Sequence, residues 1–120
     1  MELSIEAESS EAIFEEATLA LAELLPPAPE GEPVRHQVRV SASDLPALLA
    51  EWLEELVYLS ETAAFTAERA ERVELAGSTL EAVVAGRRST PQTLVKGVTY
   101  HGLELERVGG SWRAHVVLDV

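Results

Sequence analysis

Apolar and polar residues follow two different periods along this chain, and the changes of period divide it into elements. Alternation with a period of two, which is typical of half-buried strands, covers residues 1–7, 34–40, 63–75 and 79–84. Two further alternating runs flank Gly109-Gly110, and two stretches with helical spacing separate the first three strands. The order β-α-β-α-β-β-β-β predicts one α+β domain over residues 1–120, with two helices packed on a mixed, largely antiparallel β-sheet.

Both predicted helices begin with capping residues and carry an apolar stripe. The pair Ser9-Ser10 precedes the first helix, which Pro26 ends, and Asp44 precedes the second. The stripe of the second helix is Leu45, Leu48, Leu49, Trp52, Leu53 and Leu56. We expect Trp52 to lie in the core, and the alternative is that it anchors a partner.

The connections around the third and fourth strands follow from their turn-forming residues. The sequence Ala76-Gly77-Ser78 predicts a turn between the two strands. Gly86 is expected to close the fourth strand, and residues 87–93 are expected to form a polar loop.

The last two strands are predicted to form a hairpin that turns at Gly109-Gly110, because glycine readily adopts the positive φ of such turns. Its cross-strand pairs would be Arg107–Trp112, Glu106–Arg113, Leu105–Ala114, Glu104–His115, Leu103–Val116 and His101–Leu118. In this register one face of the hairpin is apolar and includes Trp112, and His101 points toward the core. On the other face, residues of opposite charge lie across from each other. It also places Tyr100 opposite Asp119, with Lys96 on the same side.

Charge and composition narrow the function. Twenty-one acidic residues against 9 basic ones give a net charge of −12, which repels phosphate backbones, so we expect no direct binding of nucleic acid. The chain has no Cys, so any metal must be held by oxygen or by His nitrogen. Without an apolar leader or membrane-length run, we expect a soluble, cytoplasmic protein, and we predict no obligate oligomer.

Catalytic motifs are missing from the sequence. It contains no Gly-rich phosphate loop, no His-Glu-x-x-His and no Gly-x-Ser-x-Gly, so we expect a protein that is not an enzyme. His36, His101 and His115 are too scattered for a local metal motif, and we expect His36 and His115 on exposed strand faces.

Two separate segments resemble the archease family. One is Val-Lys-Gly-Val-Thr-Tyr-His-Gly-Leu-Glu at residues 95–104 with Trp-Arg-Ala-His-Val-Val-Leu-Asp-Val at residues 112–120. The other is the Leu-Leu and Trp-Leu spacing that follows Asp44. The resemblance implies an accessory protein that helps an RtcB-type RNA ligase complete guanylylation and turn over repeatedly in tRNA splicing or RNA repair. The ligase itself would use GTP.

Asp119 is the main candidate for a site. Its carboxylate lies beside the terminal carboxylate of Val120, and two hard oxygen ligands suit Ca²⁺ or Mg²⁺. The alternative is a solvated charge at the chain end. The resemblance implies a divalent cation held by Asp119 and an N-terminal acidic residue, whose place Glu2 takes. It also implies that Lys96, with Asp119 and Tyr100, belongs to the functional surface; the alternative for Lys96 is a solvated strand lysine.

Two departures from the family pattern concern this cation site more than the fold. The usual His-Thr-Ala-Asp opening is not found before residues 5–7, and Ser89, Thr90 and Pro91 stand where an acidic residue and a His are common.

Two other functions remain open beside ligase activation. One is an acidic, chaperone-like module that binds a basic protein, and the other is an acidic hydrolase.

Overall fold

The computed structural model describes residues 1–91 and 95–120, and this part of the chain forms two helices and six strands. Their bounds are β1 Glu2–Ala7, α1 Ser10–Leu24, β2 Pro33–Ser41, α2 Leu45–Thr62, β3 Phe65–Ala76, β4 Thr79–Arg88, β5 Gly97–Val108 and β6 Ser111–Asp119. The predicted order of elements is therefore confirmed. Within the described ranges, no helix combines the length and apolar character that crossing a bilayer requires.

The strands form two antiparallel sheets of three strands each. The order is β1-β6-β5 in one, here called the terminal sheet, and β2-β4-β3 in the other, the central sheet. Both helices contact strands of both sheets, and residues from all of these elements share one apolar core. The α+β class with two packed helices is confirmed. The strands form two sheets instead of one, and the helices cover an apolar face of each sheet.

The helix caps and the core tryptophan are as predicted. The Ser9 hydroxyl accepts from the Ala12 N–H at 3.1 Å, and the Asp44 carboxylate accepts from the Ala47 N–H at 2.8 Å. Trp52 is fully buried, and its Nε1–H donates to Thr18 Oγ1 at 2.9 Å. This bond joins α2 to α1, so the orientation of α2 is fixed by a satisfied polar contact as well as by packing.

The hairpin follows the predicted register only near its turn. Val108 pairs with Ser111 across Gly109-Gly110, and the pairs continue as predicted to Glu104–His115. Beyond that point β5 carries a bulge, in which four residues, 100–103, oppose the single residue Val116. Gly102 lies in this bulge with a φ of 72°, a conformation that glycine adopts without strain.

The bulge moves every later pair in the hairpin, so the prediction there is wrong. Val98 lies opposite Leu118 and Gly97 lies opposite Asp119, in the places assigned to His101 and Tyr100. His101 is therefore exposed instead of facing the core.

Several predicted boundaries and environments also change. Strand β4 continues through Gly86 to residue 88, because Gly86 pairs with neighbours on both sides. The predicted loop at 87–93 is thus shorter at its start, and residues 92–94 lie outside the described part of the chain. Trp112 is half-buried at the edge of the core. His36 is also half-buried, with its ring centroid 4.4 Å from that of Phe65.

Candidate functional site

Asp119 ends β6 and is held by its backbone while its side chain is exposed. The Lys96 N–H donates to the Asp119 carbonyl at 2.6 Å, and the Leu118 N–H donates to the Met1 carbonyl at 2.7 Å. The end of β6 is therefore bonded to the chain on both sides. An exposed carboxylate on a fixed backbone suits a residue that binds a ligand or partner. Because the backbone is already ordered, binding costs little further conformational entropy.

Glu2 and Asp119 share the outer face of the terminal sheet, which is the face directed away from the helices. Leu118 is buried against the core, so the alternation of a strand turns Asp119 to the other side. Glu2 lies opposite Val117, and opposed residues point to the same face. Glu2 and Asp119 are thus diagonal neighbours on adjacent strands, at about the 7–8 Å spacing of such pairs.

The predicted cation residues lie at the same end of the terminal sheet. Asp119 and Val120 line one shallow depression, together with Met1, Thr99, Val117 and Leu118. The register adds the Glu2 carboxylate beside it. The carboxylates of Glu2, Asp119 and the terminal Val120 are hard oxygen ligands of the kind that Ca²⁺ and Mg²⁺ prefer. Over residues 1–91 and 95–120, no group of three or more His, Asp or Glu side chains is arranged to hold a metal ion.

Lys96 and Tyr100 belong to a different surface from Asp119. Lys96 lines a groove of about 460 Å³ between α2 and the start of β5. The Tyr100 hydroxyl donates to Glu51 Oε1 on α2 at 3.3 Å. The prediction that Lys96, Tyr100 and Asp119 lie on one side is therefore wrong. Its cause is the bulge in β5, which shifts the strand by three residues and puts Gly97 opposite Asp119.

The groove, here called the α2 groove, is strongly acidic. Its lining residues are Glu51, Glu54, Glu55, Val57, Tyr58, Glu61, Lys96 and Gly97. One row of these α2 side chains recurs at intervals of three, four and three residues, which places the row on one side of the helix: Glu51, Glu54, Tyr58 and Glu61, with Glu55 beside it. Four carboxylates thus share the groove with a single lysine.

The crowding of carboxylates affects titration in the groove. Partial burial, and next the nearby Glu51 carboxylate, raise the pKa of Glu54 above its ordinary value, against the opposing effect of the Val98 N–H. Burial raises the pKa of Tyr100 as well, with further contributions from Glu51 and Glu54. Both shifts show that added negative charge is unfavourable here.

The sequence interpretation missed the α2 groove because it treated α2 only as a buried helix. The signal was present in the polar positions, since Glu51, Glu54, Glu55, Tyr58 and Glu61 have the spacing of a second stripe beside the apolar one. What the sequence did not provide is the wall opposite that stripe. That wall is formed by Lys96 and Gly97, at the start of β5.

Comparisons with known proteins agree over the whole chain. A family model described as the Archease protein family matches residues 1–120. The protein archease of Methanosarcina mazei is 35% identical over 124 residues, which cover 94% of this chain and 84% of that protein. The protein archease of Methanopyrus kandleri is 32% identical over 123 residues, which cover 95% of this chain and 88% of that protein.

Solved structures show the same fold. The crystal structure of an archease, described as a possible chaperone, from Thermotoga maritima matches with a TM-score of 0.74 at 21% identity, covering 100% of this chain and 90% of that one. A solution structure of a Methanobacterium thermoautotrophicum protein matches with a TM-score of 0.70 at 22% identity, covering 99% of this chain and 91% of that one.

Proposed function

This chain belongs to the archease family, and on that basis we propose that it is a cytoplasmic accessory protein that activates an RtcB-type RNA ligase. In this role it helps the ligase to complete guanylylation with GTP and to turn over repeatedly in tRNA splicing or RNA repair. The ligase carries out the chemistry and holds the RNA, since a net charge of −12 disfavours a direct approach to phosphates.

The observation that carries this proposal is the placement of Asp119. Its carboxylate is exposed at the end of the strand that carries the family motif, and its backbone is bonded to Lys96 at 2.6 Å. An exposed carboxylate on a fixed backbone can meet a cationic or metal-containing surface of the ligase without a large ordering cost. We therefore propose Asp119 as the residue through which activation passes.

A divalent cation is part of the proposal. Glu2, Asp119 and the terminal carboxylate of Val120 would hold it at this end of the terminal sheet, with water completing its coordination shell. The bound cation would offset the negative charge of these carboxylates and offer free coordination positions to oxygen ligands of the partner. These oxygen ligands suit either Ca²⁺ or Mg²⁺.

The test is a turnover assay with the RNA ligase of the same organism, GTP and a divalent metal. We expect the wild-type protein to raise the number of ligation events per ligase molecule well above one. Asp119→Ala should abolish most of this stimulation while changing the free energy of unfolding by no more than about 0.5 kcal/mol, because the side chain is exposed. Thermal melts run beside the assay verify that the variant is folded.

Glu6→Ala is the matched control for Asp119→Ala. Glu6 is an exposed carboxylate on the same outer face of the terminal sheet, but it lies opposite Arg113 near the other end of β6. We expect this variant to stimulate the ligase like the wild type. Equal loss in both variants would argue for a general charge effect, and full stimulation by Asp119→Ala would exclude the proposed site.

A second candidate function is a chaperone-like module that binds a basic protein without a ligase. It is favoured by the acidic α2 groove and by the description of the Thermotoga maritima archease as a possible chaperone. The turnover assay separates the two functions. A protein that suppresses aggregation of a basic client but leaves ligase turnover unchanged would support the second function.

A further inference from the structure

We propose that the α2 groove is the docking surface for an arginine-rich, extended segment of a partner protein. This inference deepens the proposed function, and it rests on that function only for the identity of the partner. Its residues differ from those of the outer face, since Lys96 and the α2 glutamates line the groove while Asp119 lines a separate depression. Partner docking and cation binding would thus use two neighbouring surfaces.

The first argument is charge complementarity. Glu51, Glu54, Glu55 and Glu61 contribute four carboxylates to the groove, against the single ammonium group of Lys96. The ion pairs of the described residues join arginines to glutamates of the strands and of the loop before β2, and none of them uses a glutamate of α2. A cationic partner is therefore the occupant that relieves the repulsion within the groove.

The second argument is the length over which the carboxylates are spread. Glu51 and Glu61 are ten residues apart on α2, which corresponds to about 15 Å along the helix axis. A small ion cannot contact both ends of such a row. An extended segment of about four to five residues covers this length at about 3.3 Å per residue, and its alternate side chains point the same way. The row of glutamates thus fits a peptide better than an ion.

The third argument comes from two tyrosines, which favour arginine over lysine. Tyr58 lines the groove and Tyr100 reaches its edge through the hydroxyl bond to Glu51, and their exposures are 57% and 52%. Guanidinium groups stack on aromatic faces and bind carboxylates with two parallel hydrogen bonds. Exposed tyrosines beside carboxylates supply both kinds of contact, and tyrosine and arginine are common in the strongest contacts of interfaces.

The fourth argument is that the groove is already formed. Trp52 holds α2 from below through its bond to Thr18, and the β5 bulge holds Tyr100 above Glu51. Binding therefore requires little reorganisation of this chain. The remaining ordering cost falls on the partner's segment, and electrostatic attraction would draw such a segment in.

The test uses a labelled peptide of alternating arginine and glycine with four arginines, titrated with the full-length protein. A peptide with citrulline at each arginine position is the control, because citrulline keeps the shape and removes the charge. We expect the arginine peptide to bind at least tenfold more tightly than the citrulline peptide at low salt. Equal affinities, or no binding of the arginine peptide, would overturn the proposal.

Matched protein variants assign the binding to the groove. The triple variant Glu51→Gln, Glu54→Gln, Glu55→Gln removes three charges from the groove. The control variant Glu15→Gln, Glu16→Gln, Glu23→Gln removes three charges from the exposed side of α1. We expect at least a tenfold loss of peptide affinity in the first and less than a twofold loss in the second. Equal losses would show that only net charge matters and would overturn the proposal.

The same variants separate this inference from the proposed function. If the wild type stimulates the ligase but the groove variant stimulates equally and still binds the peptide, the docking inference fails while ligase activation stands. If the peptide binds through the groove but the wild type does not stimulate the ligase, the docking inference stands and the ligase proposal fails.

The variant Tyr58→Ala tests the stacking contact. It should weaken the binding of the arginine peptide about threefold or more, and an unchanged affinity would contradict the stacking contact.

Discussion

The outer face of the central sheet and the α2 groove are both rich in carboxylates, but among the described residues only those of the sheet are paired with arginine. On the sheet, Glu71 accepts from Arg35 at 2.9 Å and from Arg69 at 3.0 Å, and Arg87 lies 3.5 Å from Glu68. In the groove, four glutamates share one lysine. The first surface is therefore neutralised within the chain, and the second is not.

The same difference gives the pKa of one glutamate on each surface an opposite direction of shift. The hydrogen bond and charge of Arg35, with Arg69 adding to them, lower the pKa of Glu71. Burial and the carboxylate of Glu51 raise the pKa of Glu54. A surface that holds its charges in pairs gains stability from them, whereas a surface that holds unpaired like charges loses stability unless something binds there. The unpaired carboxylates of the α2 groove therefore agree with the proposed docking of a cationic partner.

The largest expected effect tests whether α2 is a rigid support for the groove. Trp52→Ala removes a fully buried indole and its bond to Thr18, so we expect the free energy of unfolding to fall by about 3–5 kcal/mol. Chemical denaturation measures the change. Trp112→Ala is the control, and it should cost less because Trp112 is half-buried. An unchanged midpoint for Trp52→Ala would mean that α2 is held by other contacts.

The order of elements could be predicted from the sequence because each depends on local chemistry. Ser9 and Asp44 cap their helices as the pattern indicated, and the Gly109-Gly110 turn closes the hairpin. The division of the strands into two sheets could not be predicted in the same way. Strand partners are chosen by contacts between distant parts of the chain, and alternation alone does not identify them.

The candidate site was predicted in part for the same reason. Glu2 and Asp119 share a face because β1 and β6 pair without a bulge. Lys96 and Tyr100 were assigned to the wrong surface because the bulge at residues 100–103 shifts one strand past the other. The glycine at 102 was its local signal, since a glycine inside a strand pattern often marks a bulge.

The second-largest expected change in the free energy of unfolding tests whether close packing of β3 on β4 keeps the charged pairs of the central sheet in register. Gly86 lies in β4 between β2 and β3, and a Cβ added there would meet the Thr66 carbonyl at 2.3 Å and the Phe65 ring at 2.8 Å. Gly86→Ala should therefore push β3 away and cost about 1–3 kcal/mol. Thermal or chemical unfolding measures this loss.

Gly97→Ala is the matched control for Gly86→Ala. Gly97 also lies in a strand, but a Cβ added there has no heavy atom within 4 Å. We expect a change within about 0.5 kcal/mol. If both variants behave alike, β3 and β4 are not as closely packed as this structure shows.

The smallest effect sharpens the comparison most, because Glu54→Gln and Glu71→Gln should have opposite signs. The ordinary pKa of both groups is 4.5. Glu71 has a lowered pKa in the folded protein, so its ionised form stabilises the fold above pH 4.5, and this contribution is lost as the pH falls through the lowered pKa. Glu71→Gln should therefore destabilise the protein at pH 7 and have no such effect in strong acid.

Glu54 has a raised pKa in the folded protein, so the sign reverses. Below pH 4.5 the group is protonated in both states and its ionisation costs nothing, whereas above the raised pKa the folded protein carries an unfavourable charge. Glu54→Gln should therefore stabilise the protein at pH 7, and the gain should vanish as the pH falls to 4.5. Urea unfolding of both variants and the wild type between pH 3 and 7 measures the two differences. Two difference curves of the same sign would mean that the carboxylates of the groove are neutralised within the chain, and the contrast with the central sheet would then disappear.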